Sequence, residues 1–151
     1  MNMTEKAAAL LTEVRRRSPL IHNITNYVTV NDCANVTLAI GASPIMADDE
    51  KEAADITAIS ATLVLNIGTL NHRTIESMIL AGEKANECGI PVVLDPVGAG
   101  ASLLRNDTVR ELTRQIRFSV SRGKLSELSY VAGLPSSTYG LVSSDWVTGN
   151  D

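Results

Sequence analysis

The sequence predicts an α/β fold with a mainly parallel sheet and helices on both faces, and three observations lead there. Strand-like apolar runs alternate with helical periodicity five times through short connections. Two of those runs, residues 62–67 and 90–94, are continuously apolar and rich in β-branched side chains, as in strands covered on both faces. Ser18-Pro19, Gly41, Gly68 and Gly89 punctuate the periodic segments as stop or turn signals.

In chain order, residues 5–16 place Leu10, Leu11 and Val14 on one helical face and end at Ser18-Pro19. Arg15, Arg16 and Arg17 close this amphipathic helix, where cations suit the negative end of the dipole. Residues 20–23 form a short strand entering a polar loop, 23–26, ahead of a helix over 28–40 that Gly41 stops. Residues 43–46 are extended, and Asp48, Asp49 and Glu50 bring carboxylates to the start of a helix over 50–60. The strand 62–67 turns at Gly68-Thr69-Leu70 into a long helix, 73–87, ended by Gly89. The strand 90–94 tolerates Pro91 near its start, where a missing N–H costs little. A glycine-rich loop, Asp95-Pro-Val-Gly-Ala-Gly-Ala101, then leads to a helix over 104–116, a strand over 117–121 and a short helix over 124–132. After Gly133 turn chemistry replaces the period, so residues 1–133 form one domain portion and 134–151 a divergent, poorly structured tail.

The 151 residues are 44% hydrophobic and 20% charged, which excludes a disordered or fibrous chain. Thirteen Lys and Arg against 17 Asp and Glu give a net charge of −4, with no basic stripe, so no nucleic acid partner is expected. No run approaches the roughly 18 apolar residues of a membrane span. The apolar stretch 7–11 is too short for an export signal, so a cytoplasmic location is expected and the Asn-x-Ser/Thr triplets at Asn23, Asn35 and Asn106 carry no meaning. Cys33 and Cys88 lack metal-ligand or redox-pair spacing; both are expected as free thiols, Cys33 in the core.

Ligands of parallel α/β sheets bind at the carboxyl ends of the strands. Loops 23–26, 46–48, 66–69, 95–101 and 121–124 all fall there. Asp95 followed by Gly98 and Gly100 fits a metal-phosphate loop, because glycine removes the Cβ that would block backbone approach. The alternative is a tight strand-to-helix turn with an incidental acid. Arg122-Gly123-Lys124 with Glu127 fits a phosphate-binding cation beside a carboxylate, or else a solvated Lys–Glu helix pair, which spacing alone favours. His22 and His72 are too few for a histidine metal site and are read as structural.

Four segments occur in one order: Ser18-Pro-Leu-Ile-His-Asn-Ile-Thr-Asn26, Leu38-Ala-Ile-Gly-Ala-Ser-Pro-Ile-Met-Ala47, Leu65-Asn-Ile-Gly-Thr-Leu70 and Pro91-Val-Val-Leu-Asp-Pro-Val-Gly-Ala-Gly-Ala101. Together they resemble the hydroxyethylthiazole kinase family, thiamine-salvage enzymes of the ribokinase-like superfamily. The likeness runs from the first helix to Gly133 and implies a three-layer α/β/α fold whose C-terminal half is missing from this sequence. It further implies ATP-dependent, Mg2+-assisted phosphorylation of the hydroxyl of 4-methyl-5-(2-hydroxyethyl)thiazole, and a trimer with active sites between subunits. Position by position, it implies thiazole contacts at Asn26, Val28 and Met46, with Gly68 in a loop beside them. It places Asp95 and Glu127 near magnesium and phosphate, and Arg122 on ATP. These roles suit the residue types: a polarizable thioether beside a flat sulfur heterocycle, an amide for orientation, and cations to spread phosphoryl charge.

Two departures from the family pattern stand out. Lys124 replaces an asparagine, setting a cation beside the magnesium position, where it repels metal or meets phosphate. The family's Thr-Gly-x-Gly-Cys segment, which forms a backbone anion hole, has no counterpart, and Val147-Thr-Gly149 only faintly echoes a later strand. No catalytic residue is therefore assigned, and turnover by the 151 residues alone is not expected, since losing such a hole costs several factors of ten. Two other readings of the segments are a non-catalytic, thiazole-binding remnant of the same fold and a different ribokinase-like vitamin kinase.

Overall fold

The computed structural model describes residues 2–134, together with the backbone of 138–139 and 142–143. Its elements run α1 (Met3–Arg17), β1 (Leu20–Ile24), α2 (Val30–Ala39), β2 (Ser43–Ile45), α3 (Ala53–Ala58), β3 (Thr62–Asn66) and α4 (His72–Cys88). These are followed by β4 (Val92–Asp95), α5 (Leu103–Gln115), β5 (Val120–Ser121) and α6 (Leu125–Val131). Two-residue strands β6 (Thr138–Tyr139) and β7 (Val142–Ser143) pair antiparallel, and the rest of the expected tail, with Val147-Thr-Gly149, lies outside the described residues.

The predicted α/β class holds. Five strands form one sheet in the order β2-β1-β3-β4-β5, every pair parallel. The chain leaves β1 for β2 on one side, then crosses back and proceeds through β3, β4 and β5 on the other. Right-handed crossovers therefore put α2 on one face and α3, α4 and α5 on the opposite face. The contacts of α4 with both α3 and α5 agree with that layering. The strand order reverses between β1 and β3, which is where a crevice opens at the carboxyl ends of such sheets.

Leu63, Leu65, Val92 and Leu94 of the central strands, with Ile67 just past β3, pack with Met78, Ala81 and Ala85 of α4 and Val109 and Leu112 of α5. Gly82 lets α4 approach this core closely, since a Cβ there would sit 2.2 Å from Ile116 Cδ1. The first two helices differ: neither α1 nor α2 buries a single residue, and Leu10 of α1 is 68% exposed.

Several boundaries shift for local reasons. The helix expected over 28–40 begins at Val30 because Asn26 Oδ1 accepts the Val28 and Thr29 N–H groups. The helix expected over 50–60 contracts to Ala53–Ala58; Asp49 folds a turn by accepting the Lys51 N–H, and Asp48 pairs with Arg73 instead of the helix start. Side-chain capture of nearby N–H groups competes with helix here. The strand expected over 117–121 keeps only its last two residues, where it pairs with β4. Cys33 is half-buried and Cys88 exposed, so the expectation of Cys33 in the core is corrected: the stripe Val30, Cys33, Ala34 and Thr37 of α2 is covered only in part. His22 is structural as predicted, fully buried, with Nδ1 on Thr57 Oγ1 at 2.8 Å and Nε2 on the Ala47 carbonyl at 2.8 Å. Among the described residues, no helix is long and apolar enough to cross a membrane.

Candidate active site

A continuous chain of side-chain hydrogen bonds crosses the carboxyl ends of the central strands. Asn26, at the end of β1, donates from Nδ2 to Asn66 Oδ1 at 3.0 Å. Asn66 closes β3 and donates from Nδ2 to Asp95 Oδ2 at 2.7 Å. Arg122, just past β5, donates from Nη2 to the same Asp95 oxygen at 2.9 Å. The carboxyl ends of four strands, β1, β3, β4 and β5, are thereby joined across the switch point, with the middle members buried.

On the β1 side, Asn26 also accepts from Thr29 Oγ1, so much of its carboxamide shapes the turn into α2. Gly68 lies directly against it: a Cβ there would come within 2.8 Å of Asn26 Cβ and 2.9 Å of Asn66 Oδ1. Met46 lines a small pocket of about 110 Å³ with Asn23, Thr25, Tyr27, Val30 and Asp48. Its loop is held by the His22 bond to Ala47, by Arg73 on the Asp48 carboxylate, and by Ser77 Oγ on the Asp48 carbonyl at 2.8 Å. Val28 is 80% exposed and lies outside that lining.

On the β4 side, Asp95 is only 7% exposed. Burial raises its pKa; the Arg122 cation, the Asn66 hydrogen bond and the more distant Lys124 charge oppose the rise, and Glu127 adds to it. Glu127 is not a surface partner of the Lys124 ammonium, as spacing alone had favoured. It is 2% exposed, and its two oxygens accept the backbone N–H groups of Gly98 and Lys124, each at 2.8 Å. Gly123 makes room, since a Cβ there would lie 3.0 Å from Glu127 Oε2.

The glycine-rich loop works differently from the predicted phosphate cradle. Every N–H from Val97 to Ala101 is already engaged: Val97 on Asp95 O, Gly98 on Glu127, Ala99 on Pro96 O, Gly100 on Asn106 and Ala101 on Gly98 O. Gly98 and Gly100 take left-handed φ values of 73° and 92°, so their glycines serve the turn itself. What the loop presents is the carboxylate of Asp95. Among the described residues, no group of three or more His, Cys, Asp or Glu gathers as a metal site. Two hard carboxylates, Asp95 and Glu127, nevertheless share one electrostatic neighbourhood, and magnesium needs only one or two such ligands when phosphate oxygens and water complete its shell.

A match to the family model described as the hydroxyethylthiazole kinase family spans residues 11–149. The chain belongs to the hydroxyethylthiazole kinase family. It is 68% identical over 142 residues to a hydroxyethylthiazole kinase of Ruminiclostridium cellulolyticum, covering 94% of this chain and 52% of that protein. It is 65% identical over 148 residues to that of Clostridium beijerinckii, covering 97% and 54%. The solved structure of the hydroxyethylthiazole kinase protein from Pyrococcus horikoshii OT3 superimposes with a TM-score of 0.79 at 45% identity, covering 85% of this chain and 50% of that one. The chain thus spans about half the length of the curated relatives it matches.

Two residues at the site carry little signal in the sequence: Asn66, and Arg105, whose guanidinium donates to the Ile67, Gly68 and Val97 carbonyls. Asn66 falls within the loop 66–69 by pattern, and a polar residue at the end of an otherwise apolar strand run is its one signal. Arg105 had no local signal beyond a cation in the first turn of a helix, the end where the dipole disfavours it.

Proposed function

We propose that this chain forms the alcohol-binding side and the acidic phosphoryl edge of an ATP-dependent hydroxyethylthiazole kinase. The observation that carries the reading is the hydrogen-bonded chain Asn26–Asn66–Asp95–Arg122, which links residues that the family likeness assigns to the thiazole with those it assigns to metal and nucleotide. In this reading the heterocycle lies by Met46 and Asn26, with Val28 and Gly68 beside it. Its hydroxyl faces Asp95 across the switch point. Alcohol and ATP give phosphate monoester, ADP and a proton. Arg122, largely exposed while touching Asp95, is free to meet phosphate oxygens as a guanidinium fork. Asp95 and Glu127 would hold Mg2+, which when bound offsets charge on the transferring phosphoryl group. Lys124, whose charge reaches Asp95, weakens that metal position or contacts phosphate in its place.

We place the protein in the cytoplasm and propose a homo-oligomer, a trimer by the family likeness. The exposed Val36 and Leu38 of α2 and Leu10 of α1 support association, because apolar faces of this kind are normally covered. A thermal-shift titration with the thiazole alcohol, with Mg·ATP and with both tests the reading. We expect each ligand to raise Tm by mass action. Response to neither overturns the proposal; a thiazole response alone favours the binding-domain alternative. Transfer of labelled γ-phosphate to the alcohol, scored on the same samples, reports the chemistry directly.

A further inference from the structure

We propose that Arg105 is a positioning residue that fastens the β3 loop to the β4 loop, making the two walls of the crevice one rigid unit. Its guanidinium donates to three backbone carbonyls: Ile67 at 2.6 Å, Gly68 at 2.8 Å and Val97 at 2.6 Å. The first two acceptors belong to the loop after β3 and the third to the loop after β4. Its stem passes under Gly98, where a Cβ would lie 3.2 Å from Arg105 Cδ. Among the described residues it forms no ion pair with a carboxylate.

The placement runs against local preference. Arg105 sits in the first turn of α5, a turn without acidic residues, at the positive end of the helix dipole. A cation held there without a carboxylate, yet bonded to three carbonyls, is accounted for by what it joins. A planar guanidinium presents several donors in fixed directions, so it spans acceptors from two strands in a way an ammonium does not. Side-chain amide Asn66 bridges the same two loops one layer away, at Gly68 N and Asp95 Oδ2. Arg105 thus sets how far Gly68 stands from Asp95. That distance matters for phosphoryl transfer because reacting groups must be held within a few tenths of an ångström of their working separation. The consequence for the reaction rests on the thiazole-kinase reading; the joining of the loops does not.

Hydrogen–deuterium exchange of the whole 151-residue chain, with Arg105→Met and Arg105→Lys beside the wild type, tests the joining. In Arg105→Met, exchange in residues 66–70 and 97–101 rises together, by about tenfold, while residues 62–65 and 92–94 keep their protection. Arg105→Lys, with charge but no fork, gives a smaller rise in both segments. A rise in one segment alone, no rise, or a uniform rise through the core overturns the proposal. Calorimetric titration with the thiazole alcohol adds the positioning readout: about tenfold weaker binding in Arg105→Met, with a smaller loss in Arg105→Lys, supports it. Unchanged affinity in that variant overturns the positioning role. Absence of binding by the wild type overturns the kinase reading instead, and the exchange comparison still decides whether Arg105 joins the loops.

Discussion

The two faces of the sheet are built to different standards of closure. On one, α4 buries six residues, with Met78, Ala81 and Ala85 in the core beside β3 and β4, and Gly82 lets Ile116 press into its surface. On the other, α2 buries none, and the N-terminal α1 buries none either. One lesson is that helix formation and helix burial are separate achievements. Asn2 and Glu5 form a reciprocal capping box that starts α1, and Arg15, Arg16 and Arg17 sit in its last turn, so local interactions define the helix without a core beneath it.

Mutations should separate the faces sharply. Leu65→Ala, in the covered core, should lower unfolding free energy by about 2–5 kcal/mol in urea titrations. A loss as small as that of an exposed truncation would mean the α4 face is no better packed than the α2 face. Next in size is Asn66→Leu, which removes one of the two hydrogen bonds on Asp95 Oδ2 and takes the acceptor from Asn26 Nδ2 and the Gly68 N–H, and should cost about 1–3 kcal/mol. Its effect should also reach both flanking loops, visible as chemical-shift changes near Asn26 and near Arg122.

A pH series adds a smaller contrast within the covered half. Burial lowers the pKa of His22, outweighing the Ala47 carbonyl and Glu52, so its neutral form is favoured in the fold. Its contribution is complete above the ordinary value of 6.5 and is lost as pH falls through that value toward the lowered one. Asp95 acts in the opposite sense: its raised pKa means stability is gained as pH falls through the raised value toward 3.8. The urea midpoint should therefore decline below pH 6.5, and Asp95→Asn should make the acid limb steeper. An Asp95→Asn limb parallel to the wild type would remove Asp95 from the account. Smallest of all, Leu38→Ser on α2 should change dilute-monomer stability by no more than about 0.5 kcal/mol. In sedimentation velocity the same variant should shift mass from oligomer to monomer; an unchanged distribution would remove α2 from the association face.

The strands and loop positions were readable because they depend on local apolar runs and on Gly and Pro between them, as at 62–67 and at Gly89. The site was readable only in part. Asp95 and Arg122 stood out by motif, yet Glu127 looked like half of a surface pair because spacing records which residues share a helix face, not which backbone folds over them. The same limit hid Arg105, whose acceptors Ile67 and Gly68 are 38 and 37 residues away. The glycines at 98 and 100 were recognised, but their role in turning rather than cradling depends on φ and on partners that no local pattern specifies.

The strand reversal that opens the crevice also sets an order of events during synthesis. β1 pairs with β3, Ile21 opposite Thr62, so the central ladder has to close a loop of roughly 40 residues with β2 already on the far edge. A chain leaving the ribosome therefore offers β1 and β2 before the strand that will sit beside β1 exists. Until β3 arrives, the inner edge of β1 is open to wrong partners, and slow formation of this non-local pairing is the stage at which a chaperone would have most to protect.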